Sequence, residues 1–132
     1  MWNERFEVGI KIIDEQHKGL VDIMNELCNS LDKGTEKDVI EEVLKELNDF
    51  AVSHFGTEEK YFREFNYEKT KEHVAEHNKF REKIKSLQKD CDEEKCVNVS
   101  TEVMNYLGEW FAGHVLKFDR EYVPTFREHG LV

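Results

Sequence analysis

A chain of 132 residues with 29 acidic and 19 basic side chains carries a formal net charge of -10, which argues against nucleic acid as a partner. Apolar residues at 39% and charged residues at 36% suit a single soluble helical domain over 1–132 with one hydrophobic core. No apolar run approaches the roughly 20 residues that cross a bilayer, and the opening MWNERFEVGI lacks the apolar centre of a signal peptide, so no membrane partner is expected and the expected location is the cytoplasm.

An arm over 1–13 (Trp2, Phe6, Val8, Ile10, Ile12, Ile13) precedes the first helical pattern and is expected to cap a bundle, with gating of access as an alternative. The first helix is expected over 14–32, with Asp14 as its N-cap, and His17, Leu20, Val21, Met24, Leu27, Cys28 and Leu31 form one stripe. Lys33-Gly34 ends it. The second, over 36–65, opens with Thr35 and Asp38 in capping-box spacing. Its stripe runs through Ile40, Val43, Leu44, Leu47, Phe50, Ala51, His54, Glu58, Tyr61 or Phe62, and Phe65, and Asn66-Tyr67 reads as a turn.

The third, over 70–91, aligns His73, His77, Phe80, Ile84, Leu87 and Cys91. After the polar segment DEEK, the fourth, over 98–118, aligns Val103, Tyr106, Leu107, Trp110, Phe111, His114, Val115 and Phe118. A tail over 119–132 follows. Four amphipathic segments joined by short links predict an all-α, antiparallel up-down-up-down four-helix bundle. The cysteines Cys28, Cys91 and Cys96 are expected as free thiols in a reducing compartment, where the Asn98 sequon has no role.

The polar residues on the inward stripes carry the chemistry. A buried imidazole or carboxylate costs several kcal/mol unless it is partnered. One core histidine is ordinarily satisfied by a hydrogen bond. Here His17, His54, Glu58, His73, His77 and His114 occupy core stripes on all four helices, and the economical shared partner is a metal. In an antiparallel bundle the start of the first and third helices and the end of the second and fourth share one level. The i, i+4 spacing puts His54 with Glu58, and His73 with His77, on common faces. Asp119 lies five residues after His114, off its face on an ideal helix. Geometry leaves Asp119 open unless the helix ends, kinks or bulges there.

These motifs resemble the haemerythrin family over essentially the whole chain: His17 in DEQH, His54 and Glu58 in HFGTE, His73 and His77 in HVAEH, His114 and Asp119 in HVLKFD. The resemblance implies two non-haem iron ions bridged by an oxo or hydroxo group. One would take His73, His77 and His114, the other His17 and His54, with Glu58 and Asp119 bridging. Filling two octahedral ions this way leaves one open position, on the two-histidine iron. In the family that position takes dioxygen.

The leading expectation is therefore reversible dioxygen binding for storage, transport or scavenging, without enzymatic turnover. A ligand set rich in neutral imidazole stabilises high-valent iron less than a carboxylate-rich one. The alternatives are a di-iron peroxidase or oxidase that draws on an electron-donor protein or small reductant to reduce peroxide or oxygen, and an oxygen-sensing module. A zinc or mixed-metal structural site is the plainer reading. Phe55, Trp110, Phe111 and Val115 are candidates for the apolar lining of the ligand pocket, each also explicable as core packing. Glu59 and His129 are expected at the surface.

Overall fold

The computed structural model describes residues 4–92 and 99–132. Trp2, the segment 93–98 and with it Cys96 and Asn98 lie outside the described residues, as do the expectations placed on them. A 3-10 turn at Glu4–Phe6 leads into α1 (Lys11–Lys33), then α2 (Glu36–Phe50), α3 (Gly56–Phe65), α4 (Thr70–Asp92), α5 (Val99–Trp110), α6 (Asp119–Glu121) and α7 (Val123–Glu128). A π-helical segment at Ala51–Phe55 joins α2 to α3, and another at Phe111–Phe118 joins α5 to α6. The result is a bundle of four rods, with no strand among the described residues. In that bundle α1 packs on α2 and α5, and α4 packs on the same two neighbours. Among the described residues, no helix is long and apolar enough to cross a membrane.

Local chemistry sets where the rods turn. Gly34, at φ 70°, ends α1 in the left-handed region, and Thr35 N–H returns to Ser30 O at 2.8 Å. Asn66 makes the second left-handed turn at φ 52°, with Tyr67 N–H donating to Phe62 O. The capping box expected at Thr35 and Asp38 does not form: Thr35 is the N-cap residue, but its side chain makes no capping bond.

Apolar packing falls into two clusters. One gathers Leu20, Leu44, Leu47, Phe55, Phe80, Leu107 and their neighbours, and the other Val8, Ile10, Ile13, Phe62, Tyr67, Tyr122 and Phe126. On every rod the buried histidines fall between a residue of one cluster and a residue of the other: Ile13 and Leu20 flank His17, and Tyr67 and Phe80 flank His73 and His77. A polar layer thus crosses the bundle between two apolar caps. Of the alternatives Tyr61 and Phe62, it is Phe62 that is buried.

Three local expectations are corrected. The first helix starts at Lys11, and Asp14 sits inside its first turn rather than capping it. The Asp14 carboxylate instead reaches back to accept the N–H groups of Val8 (2.8 Å) and Gly9 (3.2 Å), clipping the arm to α1. Residues 119–132 are not a plain tail: α6 continues the fourth rod, and α7 folds back because Phe126 is wholly buried, stacked on Tyr122 at 4.2 Å. Cys28 is a free thiol, but Cys91, buried at the end of α4, is disulfide-bonded.

Replacing Asp14 with alanine strands the buried Val8 N–H. Urea unfolding should show a loss of about 1–3 kcal/mol. An unchanged midpoint would show that the clip contributes nothing.

Candidate metal centre

The backbone departs from α-helical geometry where the site needs it. At Phe111–Phe118 the segment is π-helical, and the Asp119 N–H donates to His114 O, an i→i+5 bond. One extra residue per turn brings Asp119 onto the face of His114, which an α-helix could not do. Asp119 is fully buried as a result. The second π segment, at Ala51–Phe55, was not foreshadowed by spacing. It accompanies two consecutive residues, His54 and Phe55, that are both at 0% exposure.

All seven side chains singled out by motif come together. Their donor atoms form two groups, Glu58 with His73, His77 and His114, and Asp119 with His17 and His54. The imidazole Nε2 atoms converge: His17 on His54 at 3.2 Å and His73 on His114 at 3.1 Å. The carboxylates lie between the groups. Asp119 Oδ2 is 2.8 Å from His17 Nε2, while its Oδ1 is 2.9 Å from His73 Nε2 and 3.0 Å from His114 Nε2. Glu58 Oε1 is 3.0 Å from His77 Nε2 and 3.1 Å from His54 Nε2. The two contacts on Asp119 Oδ1 are close in distance but do not have hydrogen-bond geometry, and Glu58 Oε2 likewise has no hydrogen-bond partner among the described residues.

The donor set fits a pair of cations. Two imidazole nitrogens facing each other at about 3 Å repel unless a proton or a metal lies between them. Orphaned carboxylate oxygens are equally costly without a cation. Imidazole and carboxylate together suit iron or zinc.

Two of the imidazoles are held from behind. His54 Nδ1–H donates to Gln16 Oε1 at 2.7 Å, and Gln16 Nε2 donates to Thr57 Oγ1, whose hydroxyl donates to Ser53 O. His77 Nδ1–H donates to Glu59 Oε2 at 2.7 Å, and the Arg81 guanidinium donates to the same oxygen at 3.0 Å. These bonds fix the tautomers and leave each Nε2 free to ligate. Glu59 is therefore not merely a surface residue, and neither it nor Gln16 stands out from the sequence. His129 is exposed as expected, stacked on Phe65.

Aromatic rings enclose the layer. Phe55 stacks on His77 at 3.9 Å and Trp110 on His114 at 4.4 Å, so both press most closely on the three-histidine group. Phe50, on the core stripe of the second rod, stacks on His54 at 5.1 Å. Phe111 and Val115 are buried, and Phe111 meets Phe6 of the arm edge-on.

Burial disfavours the charged forms, but the mutual fields win. Burial lowers the His54 pKa, yet Glu58 and Asp119 together raise it to about 10. Burial and Asp119 push Glu58 up, while His54 and His77 outweigh them and hold it at about 2. His77 is raised, its bonds to Glu58 and Glu59 overcoming desolvation.

A histidine–carboxylate cluster in the core of a four-helix bundle defines a class of cation-binding helical protein, and sequence comparison narrows it. A family model described as "Hemerythrin HHE cation binding domain" matches residues 8–126. A protein named bacteriohemerythrin from Clostridium acetobutylicum is 33% identical over 129 residues, covering 93% of this chain and 98% of its own. One of the same name from Pseudomonas paraeruginosa is 29% identical over 127 residues, covering 96% of this chain and 81% of its own. A hemerythrin-like protein from Naegleria gruberi is 29% identical over 121 residues, covering 92% and 88%. The chain belongs to the haemerythrin family, and with the family comes an iron-binding, oxygen-related role.

The shifted groups fix a pH dependence for metal-stripped protein. His54, raised above its unfolded value of 6.5, contributes stability that is complete below pH 6.5 and is lost as pH rises through about 10. Glu58, depressed below 4.5, contributes stability present above pH 4.5 and lost as pH falls through about 2. Thermal unfolding of the stripped protein should therefore weaken at both extremes. Metal uptake at pH 7 should release protons, read as a buffer-dependent heat in calorimetry.

Proposed function

We propose that this chain binds dioxygen reversibly at a pair of non-haem iron ions held by His17, His54, Glu58, His73, His77, His114 and Asp119. The observation that carries the reading is the placement of Asp119, with one oxygen toward His17 and the other toward His73 and His114. That is the disposition a bridging carboxylate requires. Family membership and the division of donors into a three-histidine and a two-histidine group support it. When bound, the iron pair, with an oxo or hydroxo bridge, would supply two electrons to dioxygen and recover them on release.

The protein's own residues divide the remaining work. The three-histidine group offers one more imidazole than its neighbour, so a small ligand would be taken up beside His17 and His54. Phe50 and Phe55 set apolar rings against His54, and the buried Phe111 and Val115 add to the apolar core around the layer; such surface excludes water and slows loss of electrons to solvent. Gln16 holds His54 by its Nδ1–H, so the ring cannot rotate away as a ligand enters and leaves. Trp110 and Phe55 cover the opposite group against hydrolysis.

One feature favours the second reading, a peroxidase or oxidase served by an external reductant. A surface groove of about 340 Å³ reaches His114 between Tyr106, Trp110, Gly113 and Lys117. A small donor seated there would lie one imidazole from the iron pair.

The readings separate by experiment. Protein reduced under argon, exposed to air and returned to argon should show a visible band that comes and goes, with two irons per chain. Irreversible bleaching accompanied by turnover of NADH or thiol would establish the enzyme instead. Fewer than two irons per chain would exclude both. His77→Ala should lower iron content and alter the optical spectrum, and it should also destabilise the fold by leaving Glu58 and Glu59 short of a partner. Normal iron loading in that variant would contradict the ligand assignment.

A further inference from the structure

The two imidazoles held from behind have chemically different partners. Behind His77 stands a carboxylate, Glu59, and behind His54 a neutral amide, Gln16. Both bonds are 2.7 Å and both engage Nδ1, so the contrast is one of charge rather than geometry.

Each partner is locked in its role. The Gln16 amide nitrogen is committed to Thr57 Oγ1, whose hydroxyl is committed to Ser53 O, so the amide presents its oxygen to His54 and cannot flip without losing a bond. Glu59 Oε2 is shared between His77 and Arg81, and Arg81 also donates to Asn78 Oδ1 at 3.0 Å. The guanidinium stands over the Phe55 ring at 5.2 Å, and Phe55 in turn stacks on His77. Ring, carboxylate and guanidinium form one packed unit. The Arg81 guanidinium, 3.0 Å from Glu59 Oε2, pairs with the group as a carboxylate.

We propose that Glu59, pinned by Arg81, is a positioning residue that places negative charge behind His77, while Gln16 places none behind His54, so that the two halves of the centre bind metal unequally and fill in order. A carboxylate that accepts the Nδ1–H draws the proton toward itself and raises electron density at Nε2, the ligating atom; an amide does so much less. The anionic support therefore adds to the larger imidazole count of the His73, His77 and His114 group. The group with His17 and His54 is left as the weaker, later-filled half. This rests on the two-metal reading of the site.

The test is titration of metal-stripped protein with cobalt(II), followed by its d–d absorption and by calorimetry. Wild-type protein should take up two equivalents in two resolved steps, the first tighter. Glu59→Gln keeps the size and the hydrogen bond of the side chain but removes the charge. It should weaken the first step by roughly 10–100-fold and leave the second in place. Gln16→Glu adds charge behind His54 and should tighten the second step, drawing the two together. A merely structural role for these residues would not move the steps in opposite directions.

An unchanged first step in Glu59→Gln, an untightened second step in Gln16→Glu, or two indistinguishable sites in the wild type each overturn the proposal while leaving the two-metal centre standing. Uptake of fewer than two cobalt ions by the wild type removes the centre itself, and this inference with it.

Discussion

Seven titratable side chains buried together in one layer of a helical bundle is the constraint from which the rest follows. Imidazole and carboxylate removed from water cost several kcal/mol each, and no arrangement of neutral side chains offsets that. Protons shared among the groups meet the demand in part, as the raised His54 and depressed Glu58 show. Bound cations would meet the rest. The apolar clusters on either side do not merely fill space; they keep the dielectric low, so that the charges must be answered locally.

The backbone yields to that demand. Both rods that bring a histidine to the layer late in their course contain a π segment, and in each the segment includes the histidine. A π turn is poorly packed and uncommon. Its presence at both His54 and His114 shows that convergence of the buried polar side chains outweighs the local cost. The arm is bound by similarly specific means: Asp14 holds Val8 and Gly9, and Phe6 is seated on Phe111, beside the buried layer.

The stripes, the four rods and the shared level of the histidines were legible in sequence because periodicity and chain direction determine them. Asp119 was not decided by spacing, since five residues fit a face only if a turn is widened by one residue, and that is a backbone event. Gln16 and Glu59 were invisible for a different reason. Each neighbours a ligand in sequence and so points off the core stripe, yet each reaches the outer nitrogen of a histidine on another rod. A pattern that assigns residues to inner and outer faces has no place for a side chain that serves the core from its rim. Asp14 shows the same blindness: a residue suited to capping the next helix instead caps the segment before it.

The π segment at Phe111–Phe118 makes the chain sensitive to length rather than to identity. Inserting any one residue between His114 and Asp119 would swing Asp119 about 100° around the axis, away from both groups. Substitutions in that interval change only packing, whereas a single-codon insertion would carry the carboxylate away from the histidines with all seven residues still encoded. In this stretch the gene specifies a distance, and the count of residues is as much a part of the site as the histidine and aspartate at its ends.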